Sequence, residues 1–83
     1  MWCGAVLQVR FSDYRSFIEW VKEENPTGER YFCFDGETLV AVVQSARRRA
    51  VLKAKVEDRD FDKISDELES LGFKIVEEIK FSR

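Results

Sequence analysis

The stretch from Arg30 to Val56, RYFCFDGETLVAVVQSARRRAVLKAKV, decides the fold. Asp35 and Gly36 stand between two apolar runs, and an Asp-Gly pair in that setting is a strong signal for a two-residue hairpin turn, because both positions must tolerate a positive φ. A second, polar connection follows, so the stretch predicts three successive antiparallel strands. These predicted strands are Arg30–Phe34, Thr38–Ser45 and Arg49–Val56.

The register of the two turns assigns the side chains of these strands to two faces. A two-residue turn pairs Phe32 with Leu39, and an even-length connection pairs Leu39 with Ala54. Because a one-residue slip would exchange the faces of a strand, the agreement of the two turns supports this register. The face predicted to lie under the helices carries Phe32, Phe34, Leu39, Ala41, Val43, Ala50, Leu52, Ala54 and Val56. The opposite face, called the second face below, carries Tyr31, Cys33, Thr38, Val40, Val42, Gln44, Arg49, Val51, Lys53 and Lys55.

A strand and a helix precede this stretch. Ala5–Phe11 alternates with a period of two, which predicts a strand. Ser12 or Asp13 then supplies the N-cap of an amphipathic helix. The helix is expected to end near Asn25, because Pro26 disfavours helical geometry in the residue before it.

A second helix and a last strand follow the stretch. Apolar residues recur at helical spacing after Asp60, which is predicted to cap this helix, and Gly72 is predicted to end it. Phe73–Phe81 then predicts the last strand. Strict alternation there would point Glu77 inward, so a bulge or a cation such as Arg30 is expected to accommodate it.

The predicted element order is β-α-β-β-β-α-β, in a single small domain over residues 1–83. Each helix has one apolar stripe, so both helices are expected on one face of a mostly antiparallel sheet. This α+β two-layer sandwich resembles the ferredoxin-like architecture, with one strand more than the simple βαββαβ pattern.

Composition and charge exclude several classes of function. The chain has 83 residues, 45% hydrophobic and 36% charged, with a formal net charge of −2, so we expect a globular domain that does not bind nucleic acid through bulk charge. It has no histidine, which excludes Ser-His-Asp and Cys-His catalysis and zinc–histidine sites. No complete catalytic constellation is visible, so we expect neither an enzyme nor a bound metal or other cofactor.

The same sequence predicts a cytoplasmic protein. The longest uncharged stretches, Met1–Val9 and Thr38–Ala46, are far shorter than the ~20 apolar residues that span a bilayer, so no membrane contact is expected. The start has no basic region typical of a secretory signal. Two cysteines, Cys3 and Cys33, do not form a disulfide framework. Few amides and many Glu, Lys and Arg residues are typical of proteins from thermophiles.

The second face suggests the leading functional hypothesis. It is too apolar for a solvated surface and too charged for a core, and an apolar strip rimmed by polar groups often marks an interaction site. We therefore expect a homodimer, or a complex with a protein partner, through this strip. The expected interface residues are Tyr31, Cys33, Val40, Val42 and Val51.

The alternative hypothesis is an RNA-binding module on the same face. Basic residues near the third strand could contact phosphates, and Tyr31 could stack on a base. The expected contacts are Arg47, Arg48, Arg49, Lys53 and Lys55. A purely structural interpretation competes with this one, because charges on an edge strand also prevent unwanted strand pairing.

Two further candidates have weak sequence support. The acidic residues Asp58, Asp60, Asp62, Asp66 and Glu69 have the spacing of an EF-hand-like calcium loop. However, Lys63 stands where that loop requires glycine, so a helix is the better interpretation. Cys33 could act as a nucleophile only if a neighbour lowered its pKa, and an inert, partly buried thiol is the simpler expectation.

Overall fold

The protein is described by a computed structural model that covers residues 7–44, 48–77 and 79. The chain forms a small α+β fold whose elements follow the predicted order, with a short 3₁₀ turn, Asp58–Asp60, before the second helix. The strands are β1 (Leu7–Phe11), β2 (Glu29–Asp35), β3 (Thr38–Gln44), β4 (Arg48–Lys55) and β5 (Lys74–Ile75), and the helices are α1 (Tyr14–Glu24) and α2 (Phe61–Ser70).

The five strands form one mixed sheet with the order β1-β4-β3-β2-β5. Strands β2, β3 and β4 form the predicted antiparallel succession, whereas β1 is parallel to β4 and β5 is parallel to β2. The expectation of a mostly antiparallel, ferredoxin-like sheet is therefore met only in part. The reason is that each crossover helix makes the two strands that it connects parallel, β1 with β2 and β4 with β5. Because β2, β3 and β4 alternate in direction, β4 runs the same way as β2, so β1 beside β4 and β5 beside β2 are both parallel pairs.

Both helices pack on the face that was predicted to lie under them. The crossover from β1 to β2 and the crossover from β4 to β5 move across the sheet in the same direction, so one handedness places both helices on one face. There they form a single hydrophobic core with the strands. The buried core residues are Phe17, Ile18, Val21, Phe32, Leu39, Ala41, Val43, Ala50, Leu52, Ile64, Leu68 and Phe73.

Helix α1 begins and ends as predicted. Its N-cap, Asp13, accepts hydrogen bonds from the backbone N–H and the hydroxyl of Ser16, both at 2.9 Å. The backbone hydrogen bond, followed by the hydroxyl, lowers the pKa of Asp13 below its ordinary value. At the other end Asn25 adopts the left-handed conformation (φ 45°) and donates its N–H to the carbonyl of Val21 at 2.8 Å.

Helix α2 is capped differently from the prediction. Asp60 occupies the N-cap position, but its side chain makes no capping hydrogen bond, because the 3₁₀ turn leads directly into the helix. The predicted end at Gly72 is confirmed. Gly72 has a φ of +90° and donates its N–H to the carbonyl of Glu69 at 3.0 Å.

The last strand is shorter than predicted among the described residues, which do not include 78 and 80–83. Strand β5 covers Lys74–Ile75, and the N–H of Val76 donates to the carbonyl of Phe32 at 2.8 Å. Glu77 is exposed rather than pointed inward. Arg30, the cation named as an alternative to a bulge, donates instead to the backbone carbonyls of Leu71 and Pro26. Glu77 lies beyond the end of β5, so the alternation of that strand does not extend to it.

Candidate functional site

The strand registers confirm which side chains lie on the second face. Val42 pairs with Val51, as the second connection predicted. The predicted pairing of Phe32 with Leu39 is wrong: Phe32 pairs with Ala41, because the turn residues are Gly36 and Glu37 rather than Asp35 and Gly36. The register is shifted by two residues, which leaves every side chain on its predicted face.

The parallel pairing of β1 with β4 adds two residues of β1 to this face, because Gln8 lies opposite Arg49 and Arg10 lies opposite Val51. The second face therefore extends one strand further than the sequence indicated.

The apolar strip on the second face is buried, so its predicted exposure is wrong. Val42 is 1% exposed, Cys33 and Val51 are each 5% exposed, and Val40 is 8% exposed, while Tyr31 is half-buried. These values are those of one chain on its own, so the chain itself excludes water from the strip. Ile79 lies beside the strip, because it lines a cleft on this face together with Cys33 and Val40.

A row of four cations crosses the exposed part of the second face. Side chains on one face of a strand recur every two residues, or about 6.6–7 Å. Along β4 the successive positions are Arg49, Val51, Lys53 and Lys55, and Arg10 of β1 lies beside Val51. Arg10 therefore supplies the charge that β4 lacks at its second position. We call Arg49, Arg10, Lys53 and Lys55 the basic row, which extends for about 20 Å.

Two of the predicted basic contacts are not part of this row. Arg48 alternates with Arg49 and so shares the helix-covered side of β4, where its guanidinium lies 3.5 Å from the carboxylate of Glu24 at the end of α1. Arg47 lies outside the described residues. The structure thus brings together Arg49, Lys53 and Lys55 from the predicted set and separates Arg48 from them.

Arg49 is held in place on the second face by its neighbour on β3. Its Nε–H donates to the side-chain oxygen of Gln44, the residue opposite it, at 2.7 Å. The other three members of the row, Arg10, Lys53 and Lys55, have exposed side chains. The row therefore combines a guanidinium held by Gln44 with three exposed cationic side chains.

Edge protection does not account for the basic row. That interpretation needs an edge strand, but β4 lies between β1 and β3, and both of its edges are paired. Three of the four cations therefore project from an interior strand. Arg10 alone belongs to the strand at the edge of the described sheet.

Basic and acidic residues are unevenly distributed between β1 and β4 on one side and the segment that contains α2 on the other. Strands β1 and β4 contain five basic residues and no acidic residue in their sequences. The segment from Asp58 to Ser70, on the helical layer, contains six acidic and two basic residues. At physiological ionic strength the field of a charge decays over about 8 Å, so acids on the far layer weaken the potential over the basic row only slightly. The net charge of −2 therefore conceals a local excess of positive charge along β1 and β4, on a face that also carries Glu29 and Asp35 of β2.

A cleft of about 690 Å³ opens beside the basic row. Val40, Cys33 and Ile79 contribute apolar surface, and Lys53 of the basic row lines the same cleft together with the carboxylate of Glu77. The remaining lining residues are Phe34, Asp35 and Thr38. A volume in the range of 300–1,000 Å³ is typical of sites that hold small organic groups.

Other candidates from the sequence have structural explanations. Asp58, Asp60 and Asp62 lie in the 3₁₀ turn and the first turn of α2, not in a calcium loop, and no group of three or more metal-ligating residues occurs within the described parts of the chain. Cys33 is a buried thiol.

One strongly perturbed titratable group lies away from the second face. The hydroxyl of Tyr14 donates to a carboxylate oxygen of Glu67 at 2.7 Å and so joins the two helices. Burial, followed by this hydrogen bond, raises the pKa of Tyr14 well above its ordinary value. This contact stabilises the helical layer and has no part in the basic row.

Arg10 is the functional candidate that sequence reasoning missed. The sequence showed that Arg10 belongs to an alternating strand and lies on the face opposite the apolar residues of that strand. The missing information was that β1 pairs with β4, because two crossover connections decide which strands become neighbours. Composition does not identify this pair, because β3 and β5 lack acidic residues as β1 and β4 do.

Comparison with known proteins finds no family model that matches this chain and no significantly similar curated protein or solved structure. Among the helices of the described residues, none has the length and apolar character needed to cross a membrane. The functional assignment therefore rests on the geometry of the second face.

Proposed function

We propose that this protein binds single-stranded nucleic acid, with RNA as the first candidate, along the basic row. The observation that carries the proposal is the position of Arg10 beside Val51, which completes a row with one cation about every 6.6–7 Å. A flexible polyanion that follows such a row displaces counterions at each contact, and this release supplies most of the affinity of non-specific binding.

Two features of the second face support a nucleic acid over a partner that docks on the apolar strip. The strip is buried within one chain, so docking there would require the chain first to uncover it. The basic row needs no such change, since three of its four side chains are exposed. The acidic net charge also does not place carboxylates on the strands of the basic row: the acids of α2 lie on the other layer, and β1 and β4 contain no acidic residue.

The cleft beside the row supports a single strand over a duplex. Single strands present unstacked bases, which proteins accommodate on apolar or aromatic surfaces next to a basic track. The cleft combines Lys53 with the apolar side chains of Val40 and Ile79, so a base could enter it while its phosphate contacts the row. The half-buried Tyr31 lies on the same face, two strands away from β4.

The proposal is tested by titrating the protein against a mixed-sequence, fluorescently labelled RNA of about 12 nucleotides. Four phosphate contacts predict a log–log slope of affinity against salt of about −2.8, or a loss of roughly 50-fold between 50 and 200 mM salt. We expect a dissociation constant of about 1–100 μM at physiological salt, since no base-specific contact is invoked.

The decisive comparison is between Arg10→Ala and Arg48→Ala. Both variants remove one positive charge, but only Arg10 belongs to the basic row, whereas Arg48 faces Glu24 on the helix-covered side. Arg10→Ala is expected to weaken binding several-fold and to reduce the slope by about 0.7, and Arg48→Ala is expected to leave the slope unchanged. Equal effects of the two variants, or no binding at 50 mM salt, would contradict the proposal.

A further inference from the structure

Strand β1 lies at an edge of the sheet. Within the described residues its one neighbour is β4, so its other side presents backbone N–H and C=O groups to whatever lies next to it. An edge strand with unpaired backbone groups is a template for a further strand. Val9 of β1 is half-buried, so part of its side chain stays accessible to such a strand, whereas Phe11 packs against Phe17 and Trp20.

The sequence of β1 is Leu-Gln-Val-Arg-Phe. When two copies of it are placed side by side in antiparallel orientation, each residue lies opposite one with which it can pair. An antiparallel pairing centred on Val9 places Val9 opposite Val9 of a second copy. It also places Gln8 opposite Arg10, twice, so that an amide oxygen can accept a hydrogen bond from a guanidinium. Positions 7 and 11, both apolar in sequence, then oppose each other. Cross-strand pairs of this kind stabilise a sheet.

We propose that two copies of this chain associate through β1, antiparallel about Val9, so that their sheets join into one. The occupant of the edge is thus a second copy, because the strand matches its own reverse at every position. This interface differs from the buried strip of Val40, Val42 and Val51, which stays covered within each chain. It also does not depend on the proposed binding of nucleic acid.

The charge of the basic row sets the salt response of this association. In the paired arrangement the two Arg10 residues lie on the same face at diagonal positions, about 7–8 Å apart. Their repulsion opposes association at low salt and is screened as salt increases. Self-association is therefore expected to strengthen with salt, which is opposite to the response expected for nucleic-acid binding.

The test uses charged substitutions at Val9, where the two copies meet their own equivalent residue. Val9→Lys places two lysines opposite each other and Val9→Glu places two glutamates opposite each other, so each variant alone should be monomeric. An equimolar mixture should restore a heterodimer, because lysine then faces glutamate. Sedimentation equilibrium measures all three samples, with circular dichroism to show that each variant is folded.

Two controls keep the test informative. Val76→Lys introduces the same charge next to β5, at the opposite edge of the sheet, and should leave self-association unchanged. Gln8→Lys changes an exposed residue that no core contact needs, and it should weaken the dimer about tenfold by placing lysine opposite Arg10 twice. It replaces the Val9 variants if either fails to fold.

Two results would overturn the proposal. One is a wild-type chain that stays monomeric at roughly 500 μM, where even a millimolar dissociation constant would be visible. The other is a mixture of Val9→Lys and Val9→Glu that shows no heterodimer although both variants are folded. Because the Val9 variants keep all four cations of the basic row, this interface can fail while nucleic-acid binding persists.

Discussion

Replacing Arg30 by alanine is expected to destabilise the fold strongly, although Arg30 makes no ion pair in the described structure. Its guanidinium donates to the carbonyl of Pro26 at 2.5 Å and to the carbonyl of Leu71 at 2.7 Å. Pro26 follows the end of α1, and Leu71 is the C-cap of α2. The side chain of Arg30 therefore links the C-terminal ends of both helices to β2 through hydrogen bonds.

The magnitude follows from the two hydrogen bonds. A hydrogen bond that involves a charged group contributes about 1.5–3 kcal/mol when it is well shielded. Both contacts are only partly buried, so water can solvate the carbonyls once the guanidinium is removed. We therefore expect Arg30→Ala to lower the free energy of unfolding by about 2–3 kcal/mol in total, which for a domain of this size corresponds to a decrease in Tm of roughly 10–20 °C.

Urea unfolding followed by circular dichroism measures this loss. Arg15→Ala, an exposed arginine on α1, is the control and should change stability by less than about 0.5 kcal/mol. Arg30→Lys keeps the charge but lacks the fork that reaches both carbonyls, so its stability should lie between those of the wild type and Arg30→Ala. If Arg30→Ala and Arg15→Ala have the same stability, the hydrogen bonds of Arg30 to the two helix ends do not stabilise the fold, and the reasoning is refuted.

Two further predictions concern the helices. The hydrogen bonds from Ser16 lower the pKa of Asp13 in the folded state, so this carboxylate stabilises the protein above its ordinary pKa of 3.8 and loses that effect as the pH falls through the lowered value. The stability difference between wild type and Asp13→Asn, which keeps a capping oxygen, should therefore shrink in acid melts, and a constant difference would contradict it. Tyr14→Phe should cost about 0.5–1.5 kcal/mol of unfolding free energy, because it removes the hydrogen bond to Glu67, and a double-mutant cycle with Glu67→Gln should show coupling between the two residues.

Local features were predictable because they depend on neighbouring residues. A hairpin that contains Gly36 was predictable from the backbone freedom of glycine, and so were the faces of its strands. Its turn residues are Gly36 and Glu37 rather than Asp35 and Gly36, so the pairing of β2 with β3 is shifted by two residues from the prediction. Asp13 and Asn25 mark the ends of α1 for equally local reasons, a side-chain acceptor and a left-handed residue before proline. Asp60 shows the limit of this reasoning, since a 3₁₀ turn made a side-chain cap unnecessary.

The neighbours of the edge strands could not be predicted in the same way. Each crossover helix passes over two strands, and the sequence of a helix does not state how many strands it crosses. For this reason the parallel pairing of β1 with β4 was missed, and Arg10 with it. The apolar residues of the second face did indicate burial. They were interpreted as a contact between molecules, whereas Val40, Val42 and Val51 are already buried within one chain.

Arg10 connects the two proposals, because it belongs both to the basic row and to the edge strand. Pairing of two copies through β1 would place two basic rows side by side on one face and would raise the positive potential there. A bound polyanion neutralises that potential, so nucleic acid and the second copy are expected to favour each other's binding even though salt acts on them in opposite directions. Such coupling is reciprocal by necessity: a nucleic acid that promotes the dimer must also bind the dimer more tightly than the monomer. The monomeric Val9 variants separate these effects. They keep the basic row, so they should lose only the part of the affinity for nucleic acid that depends on dimer formation.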